Sequence, residues 1–173
     1  YKGNPDNLDP GTVPFTVTID REGTESKELK GEITVVDDDA VVEPGWRRRL
    51  SGQFTDSDVA AVGGYAEPVW PGDRPRWFPR ECDWTVGCSY AGLPTAPAPV
   101  RNLMGCNMAF RRRTLLDVGG FDTDLGRVGT LPVGCEETEL CIRIASQDPA
   151  AKIIFDPDVR VRHHVSRART NVR

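Results

Sequence analysis

Short β-branched runs, separated by charged or glycine-rich stretches, dominate the hydrophobic pattern of this chain. Residues 15–19 alternate apolar and polar side chains, and residues 33–36 form a continuous Ile-Thr-Val-Val run, so both segments predict strands. Similar short apolar runs predict further strands, and these lie at 59–62, 108–110, 153–155 and 159–161. The pattern therefore predicts a sheet of several short strands.

Helices are predicted between these strands. Pro44 fits the first turn of one helix, while Gly31 ends another and Gly119-Gly120 stops a third in the left-handed conformation. The predicted helices are 21–30, 46–50, 114–118 and one that begins near Glu136. Strands that alternate with helices in this order predict an α/β fold.

The length of 173 residues corresponds to about one domain. We predict an irregular lead-in at 1–14, a single domain at 15–166 and a basic tail at 167–173. Residues 65–100 hold seven of the 14 prolines and three of the four tryptophans, namely Trp70, Trp77 and Trp84. Because a segment of this length and aromatic content is seldom disordered, it predicts a long ordered loop.

Targeting and cysteine signals are weak in this sequence. No apolar run approaches the roughly 18 residues of a membrane span, and residues 1–10 lack the basic and apolar parts of a signal peptide. The five cysteines form no C-x-x-C pair, which argues against a disulfide framework and a zinc ribbon. These features predict a cytoplasmic protein with reduced thiols.

Charge is distributed unevenly along the chain. The formal net charge of −4 argues against nucleic acid as a partner. Residues 1–40 hold 10 acids and 4 bases, a net charge of −6, whereas residues 154–173 hold 5 arginines and 2 aspartates, a net charge of +3. If the fold brings these two ends together, a carboxylate cluster faces an arginine cluster.

An Asp-x-Asp pair, Asp37 and Asp39, follows the apolar run at 33–36 directly. Two carboxylates at such a strand exit can hold one hard divalent cation, which prefers oxygen ligands and keeps open positions for phosphate oxygens. The alternative is that these acids end the strand and accept hydrogen bonds from loop amides. The pair therefore indicates a candidate metal site.

Two further pairs are candidates for chemistry. Glu136 and Glu137 lie at a predicted helix start, where negative charge is also favourable for the helix dipole alone. His163 and His164 are the only histidines and lie in the basic C-terminal segment, a composition that suits phosphate or a carboxylate-held metal. A surface strand end is the alternative for the histidines.

Taken together, these segments resemble the family-2 inverting glycosyltransferases of the GT-A fold. Four motifs within about residues 21–166 carry the resemblance, in the order GEITVVDDDAVVEPGW, GCNMAFRRRTLLDVGGFDTDLGRVG, GCEETELCIRI and PDVRVRHHV. The resemblance implies a single Rossmann-like α/β domain with a mixed, mostly parallel sheet flanked by helices. It also implies a nucleotide-diphosphate sugar donor, a Mg²⁺ or Mn²⁺ ion, and a glycan or lipid-linked acceptor, with peripheral association at the inner face of the membrane.

Site residues follow from the same resemblance. Asp39 is the expected direct metal ligand, with Asp37 and His163 beside it and His164 as the lesser candidate. Glu137 falls on the position of the catalytic base, with Glu136 next to it. The residues expected to bind the nucleotide are Asp37, Asp38, Arg167 and Arg169.

Three features qualify this interpretation. The family begins with a strand–helix–strand unit that binds the nucleobase, and residues 1–14 are too few to supply it. Either the chain is a fragment that lacks this unit, or segments of it are left out, or the lead-in is unrelated to it. The run at 33–41 also fits a haloacid-dehalogenase-like phosphatase, with Asp37 as nucleophile and Asp39 as acid/base. That alternative would need a downstream lysine, here Lys152, and a paired acidic metal motif, here Asp156 and Asp158. A carbohydrate-binding module that uses the three tryptophans of 65–100 is the non-catalytic alternative.

Overall fold

The structure, a computed structural model, describes residues 15–19, 31–128, 131–132 and 134–170. Its helices are α1 (Trp46–Gln53), α2 (Arg112–Asp117) and α3 (Glu136–Gln147), with 3₁₀ helices at Arg80–Val86 and Arg167–Thr170. Its strands are β1 (Phe15–Ile19), β2 (Glu32–Asp37), β3 (Ala40–Val42), β4 (Val59–Val69), β5 (Ala98–Pro99), β6 (Asn107–Arg111), β7 (Arg127–Val128), β8 (Leu131–Pro132) and β9 (Lys152–His164).

Most of these elements agree with the sequence pattern. The strands predicted at 15–19, 33–36, 59–62 and 108–110 are confirmed, as are the three helices predicted after residue 45. Gly119 and Gly120 have φ of 85° and 77°, as a left-handed stop requires. The lead-in at 1–14 and the helix at 21–30 lie outside the described residues. The division into a domain at 15–166 and a tail at 167–173 stays a prediction.

Strand direction differs from the prediction. The main sheet of the described residues has the order β1-β2-β6-β4-β9-β3, with β5 beside β9, while β7 and β8 form a separate hairpin. Within the described ranges only β4 and β9 pair in parallel, and every other pair is antiparallel. The expectation of a mostly parallel sheet was therefore wrong, because alternation of strands and helices along a chain does not fix how distant strands pair.

Helices cover both faces of this sheet. Met108 and Phe110 of β6 face α3 and pack in one core with Leu140 and Ile144. Ala109, between them in the strand, points to the other face and packs in a second core that contains α1 residues. Among the described residues, no helix combines the length and the apolar character that crossing a membrane requires.

β9 is one continuous strand rather than the two predicted at 153–155 and 159–161. Its pairing with β4 shifts register, since Gly64 opposes Asp156 whereas Tyr65 opposes Arg160. The three extra residues of β9 form a bulge against Gly64, where a Cβ atom would lie 1.8 Å from the Val159 carbonyl oxygen. Only glycine allows the two backbones to approach so closely.

The fully buried side chain of Asn107 holds this bulge in place. Its Nδ2 donates to the carbonyl oxygens of Val159 (2.9 Å) and Tyr65 (3.3 Å), and its Oδ1 accepts a hydrogen bond from Trp46 Nε1 (2.9 Å). Beyond the bulge, Val159, Val161, His163 and Val165 are buried and alternate with more exposed residues. The bulge therefore sets which face of β9 each later side chain occupies.

The proline- and tryptophan-rich segment at 65–100 is ordered, but it is not one loop. Its first residues continue β4 to Val69, and it also contains the 3₁₀ helix Arg80–Val86 and β5. The guanidinium of Arg74 pairs with the buried Asp83 carboxylate at 2.6 Å and lies over the Trp70 ring. This buried charge pair, with its aromatic cover, fixes the segment in one conformation.

Candidate functional site

The Asp-x-Asp pair lies where the chain passes from β2 to β3. Asp37 ends β2, which pairs with β6, whereas Ala40 begins β3, which pairs with β9. Ala40 is opposite His163 in that pairing, and the backbone amide of His164 donates to the Asp39 carbonyl oxygen at 2.9 Å. The sheet topology therefore brings the Asp-x-Asp turn to the C-terminal end of β9.

Asp37, Asp39 and His163 form a compact group of potential metal ligands. One ligand atom from each lies within 4.8 Å of the others. His163 Nε2 is 2.9 Å from Asp39 Oδ1 and 3.8 Å from Asp37 Oδ2. The imidazole is buried, whereas the Asp39 side chain is 48% exposed, so one side of the group is open. Two carboxylates and one imidazole suit a divalent cation that keeps positions free for further oxygen ligands.

Electrostatics couple these three side chains closely. Burial disfavours the imidazolium form of His163, but Asp37, Asp39 and Cys88 outweigh it and raise the pKa of His163 from 6.5 to about 11. The hydrogen bond from His163 lowers the pKa of Asp39 below its usual 3.8, and the nearby charge of Arg169 contributes. Without a bound cation, the site therefore holds a charged histidine between two carboxylates.

The second acidic pair opens α3. Cys135 precedes the helix in the left-handed conformation, with φ of 79°, and Glu136 and Glu137 form its first two positions. Burial raises the pKa of Glu137 above 4.5, and the charges of Glu136 and Asp37 add to that effect. The coupling to Asp37 places the two acidic motifs within electrostatic reach of each other.

Glu136 carries an unsatisfied polar atom beside Gly126, where a Cβ atom would lie 3.7 Å from its Oε2. Its Oε2 is buried and accepts no hydrogen bond from the described residues. The helix N-terminus was expected to keep Glu137 ionised, and its own backbone amide does favour the charged form. Desolvation and the two neighbouring carboxylates have the larger effect, so the pKa rises instead of falling.

Arg169 is the basic residue that the fold places against the site. It lies in the 3₁₀ helix Arg167–Thr170, and its Nη1 donates to the Val86 carbonyl oxygen at 3.1 Å. The acidic and basic ends of the chain meet here, since His163 lies 2.9 Å from Asp39 and the charge of Arg169 acts on the Asp39 carboxylate.

The remaining predicted site residues are not members of this ligand group. Asp38 is exposed in the turn and is not one of the three clustered ligands. His164 is exposed on the opposite face of β9 from His163. Arg167 is exposed at the start of the 3₁₀ helix that carries Arg169.

Sequence reasoning missed a cysteine layer beneath the histidine. Cys88 and Cys106 are buried, and Cys88 Sγ lies 3.4 Å from His163 Nδ1. Burial raises the pKa of the Cys106 thiol well above 9.0, and the Asp37 charge adds to this. A sequence signal was available, because Gly-Cys occurs three times, at 87–88, 105–106 and 134–135, and all three dipeptides adjoin site residues.

The residues that a phosphatase would need are engaged elsewhere. Lys152 Nζ pairs with Asp56 and Asp58, at 2.8 and 3.3 Å, at the opposite end of β9 from His163. Asp156 accepts a hydrogen bond from Gln53 Nε2 at 2.7 Å, so it serves the α1–β9 contact. The geometry therefore disfavours the phosphatase interpretation.

The tryptophans do not form the row of stacking platforms that a carbohydrate-binding module would use. Trp70 packs edge-on against Phe78 at 5.4 Å and lies under Arg74. Trp77 and Trp84 are exposed by 55% and 56%. Only the latter two tryptophans of this segment are open to a ligand.

Comparison with known proteins supports a single interpretation. No protein-family model matches the chain. The chain is 38% identical over 139 residues to the glucosyl-dolichyl phosphate glucuronosyltransferase of Haloferax volcanii, a match that covers 80% of this chain and 44% of that protein. The chain thus spans less than half the length of this curated relative.

A solved structure gives independent support at the level of the fold. The structure is similar to the crystal structure of GalNAc-T7 with UDP, GalNAc and Mn²⁺, with a TM-score of 0.53 and 17% sequence identity. The similarity covers 77% of this chain and 27% of that one. The resemblance inferred from the sequence is confirmed at this level: the chain is a relative of the glycosyltransferases with the GT-A fold.

Proposed function

We propose that the protein carrying this chain is a family-2-like inverting glycosyltransferase that moves a sugar from a nucleotide-diphosphate donor to a hydroxyl acceptor and depends on a divalent cation. The observation that carries the proposal is the Asp37–Asp39–His163 group, which lies within electrostatic reach of Glu137. A diphosphate leaving group needs a site for a cation, and an attacking hydroxyl needs a base. The two acidic motifs are proposed to provide these two functions.

The donor side of the reaction is assigned to β2 and β9. Asp37, Asp39 and His163 would hold Mg²⁺ or Mn²⁺, which when bound neutralises the charge that develops on the departing diphosphate. Arg169 supplies a further positive charge for phosphate oxygens, since its guanidinium is held beside the site by the Val86 carbonyl. Asp38 and Arg167 are proposed to contact the nucleotide from the exposed rim.

The acceptor side is assigned to α3. Glu137 is proposed to take the proton from the attacking hydroxyl, and a pKa raised toward the working pH suits a general base. Because its carboxylate is partly buried, fewer water molecules can compete with the substrate hydroxyl for hydrogen bonds to it. Glu136 holds negative charge beside it, which keeps that pKa raised. A base on the side opposite the diphosphate gives a single displacement, and hence inversion at the sugar carbon.

A lipid-linked glycan is the proposed acceptor. The Haloferax volcanii relative is named for a glucosyl-dolichyl phosphate substrate, which is a sugar carried on a lipid phosphate. The exposed Trp77 and Trp84 offer flat apolar surfaces for a sugar ring or a lipid surface. Peripheral association with the inner face of a membrane follows from such an acceptor.

A nucleotide screen followed by product analysis tests this function. Melting temperatures of the full chain are measured with UDP, GDP and dTDP, each with and without Mn²⁺. Stabilisation by one nucleotide diphosphate only when Mn²⁺ is present is expected. Transfer from the matching nucleotide sugar is then followed by NMR, and an inverted anomeric configuration in the product is expected. Retention of configuration, or nucleotide binding that is indifferent to Mn²⁺, would contradict the proposal.

A further inference from the structure

Cys88 is the partner of the His163 nitrogen that faces away from the carboxylates. Its Sγ lies 3.4 Å from Nδ1, on the opposite side of the ring from Asp39. Both residues are buried, Cys88 completely and His163 to 2% exposure. A protein thiol is a weak hydrogen-bonding group, so the direction of this contact depends on where the thiol proton goes.

The other contact of Cys88 gives the thiol proton a second acceptor. The thiol has a single proton, and its sulfur is 3.8 Å from the Val86 carbonyl oxygen, which can only accept. With the S–H donated to Val86, the sulfur can only accept from the histidine. A cation held by Nε2 beside Asp37 and Asp39 uses the lone pair of that nitrogen, so the ring hydrogen lies on Nδ1 and faces the Cys88 sulfur.

The Val86–Cys88 turn is shaped for this contact. Gly87 lies in the left-handed conformation, with φ of 78°, and a Cβ atom there would come within 3.2 Å of His163 Cε1. Cys106 Sγ donates to the Gly87 carbonyl oxygen at 3.2 Å, while Arg169 donates to the Val86 carbonyl oxygen. Two thiols, one guanidinium and one glycine therefore hold this turn against the imidazole.

We propose that Cys88 is a positioning residue of the metal site, which fixes the ring orientation and tautomer of His163 through an Nδ1–H···Sγ hydrogen bond. The inference rests on the proposed function only in taking His163 as a metal ligand. Metal-bound histidines generally donate their second ring N–H to an oxygen acceptor, and loss of that partner usually lowers metal affinity by about 10- to 100-fold. Here a thiol takes the place of that oxygen.

The test compares three variants of the full chain with the unchanged protein. Cys88→Ala removes the acceptor, and Cys88→Ser replaces it with a hydroxyl. Cys141→Ala is the matched control, since it removes a completely buried thiol from the α3 core that does not contact His163. Melting temperatures establish that each variant is folded.

Two measurements are made on each variant. Mn²⁺ affinity by titration calorimetry is expected to fall by about tenfold or more in Cys88→Ala. It should fall less in Cys88→Ser and stay unchanged in Cys141→Ala. Proton NMR of the Co²⁺-loaded protein should show a hyperfine-shifted exchangeable signal from the His163 Nδ1–H, and solvent exchange of that signal should become faster in Cys88→Ala.

The outcomes separate the two proposals. If the exchangeable signal is present but neither its exchange rate nor Mn²⁺ affinity changes in Cys88→Ala, the role of Cys88 is overturned and the metal site stands. If the unchanged protein shows no hyperfine-shifted histidine signal, His163 is not a ligand and both inferences fail. Equal losses in Cys88→Ala and Cys141→Ala would also overturn the positioning role, because they would reflect thiol packing alone.

Discussion

His163 Nε2 lies 2.9 Å from Asp39 Oδ1, although 124 residues separate the two in the chain. The contact follows from backbone pairing, because Ala40 of β3 is opposite His163 of β9. Asp39 is exposed enough to be replaced without opening the core, whereas His163 is not. Asp39 is therefore the residue at which the metal assignment can be tested with the least risk to the fold.

Substitution of Asp39 by alanine should abolish cation-dependent donor binding while the protein stays folded. This substitution removes a carboxylate that is proposed to bind the metal directly. It should therefore lower Mn²⁺ affinity by at least about 100-fold, which is the largest loss usually seen when a group that only contacts a metal ligand is removed. Titration with Mn²⁺ and a nucleotide diphosphate measures it. Asp73→Ala is the matched control, because Asp73 is an exposed aspartate outside the ligand group and has no proposed role in binding the nucleotide. Unchanged Mn²⁺ affinity in a folded Asp39→Ala protein would remove the metal assignment.

Replacement of Glu137 by glutamine should leave donor affinity near that of the unchanged protein and lower turnover by about 10²- to 10⁴-fold, the usual contribution of a positioned general base. Glutamine keeps the shape of the side chain but cannot accept the proton. Glu136→Gln should have a milder effect on turnover. Steady-state kinetics with both substrates varied would measure the turnover of each variant. A larger loss of turnover in Glu136→Gln than in Glu137→Gln would mean that Glu136, and not Glu137, is the general base.

The pH dependence of stability should reveal the raised pKa of Glu137 without any assay of activity. The fold raises this pKa above the usual 4.5, so the carboxyl favours folding at pH values below 4.5, and that contribution is lost as pH rises through the folded pKa. Glu137→Gln has no carboxylate to desolvate. Its melting temperature relative to the unchanged protein should therefore be higher at pH 7.5 than at pH 4. A difference that is equal at both pH values would mean that Glu137 is not desolvated.

Substitution of Gly64 by alanine should lower the free energy of unfolding by at least about 1 to 3 kcal/mol, the usual cost of overpacking a core. The new methyl group would lie 1.8 Å from the Val159 carbonyl oxygen, so the bulge of β9 would have to move. Gly52→Ala is the control, because a Cβ atom on that helical glycine meets nothing within 4 Å and should stabilise by about 0.4 to 1 kcal/mol. Urea unfolding of both variants measures the free energies. Equal stabilities would show that the β4–β9 bulge is not rigid.

The sequence alone determined the local elements and the chemistry of the two acidic motifs. Residues 33–36 read as a strand because β-branched side chains favour an extended backbone, and the aspartates behind them mark its end wherever that strand lies in the sheet. The start of α3 at Glu136 followed equally from the spacing of Leu140 and Ile144. Both signals are local, so no knowledge of distant contacts was needed.

The choice between His163 and His164 lay within reach of the sequence. Val159, Val161 and Val165 alternate with polar residues, and the two-residue period of a strand places His163 on the same face as these valines. The bulge breaks the alternation between residues 156 and 160, so the faces of the valines after it cannot be extrapolated from residues 153–155 before it. Pro157 marks an irregularity in this part of the sequence, but the size of the register shift depends on Gly64 in another strand.

Only the tertiary structure decided strand direction, the partner of His163 and the protonation tendency of Glu137. Pairing of β2 with β6 and of β3 with β9 joins segments more than 70 residues apart, and the energy of such pairing depends on packing that no local pattern contains. The same holds for Cys88, whose sulfur meets His163 across 75 residues. For Glu137, the sign of the pKa shift depended on burial and on the charge of Asp37, both of which exist only once the chain has folded.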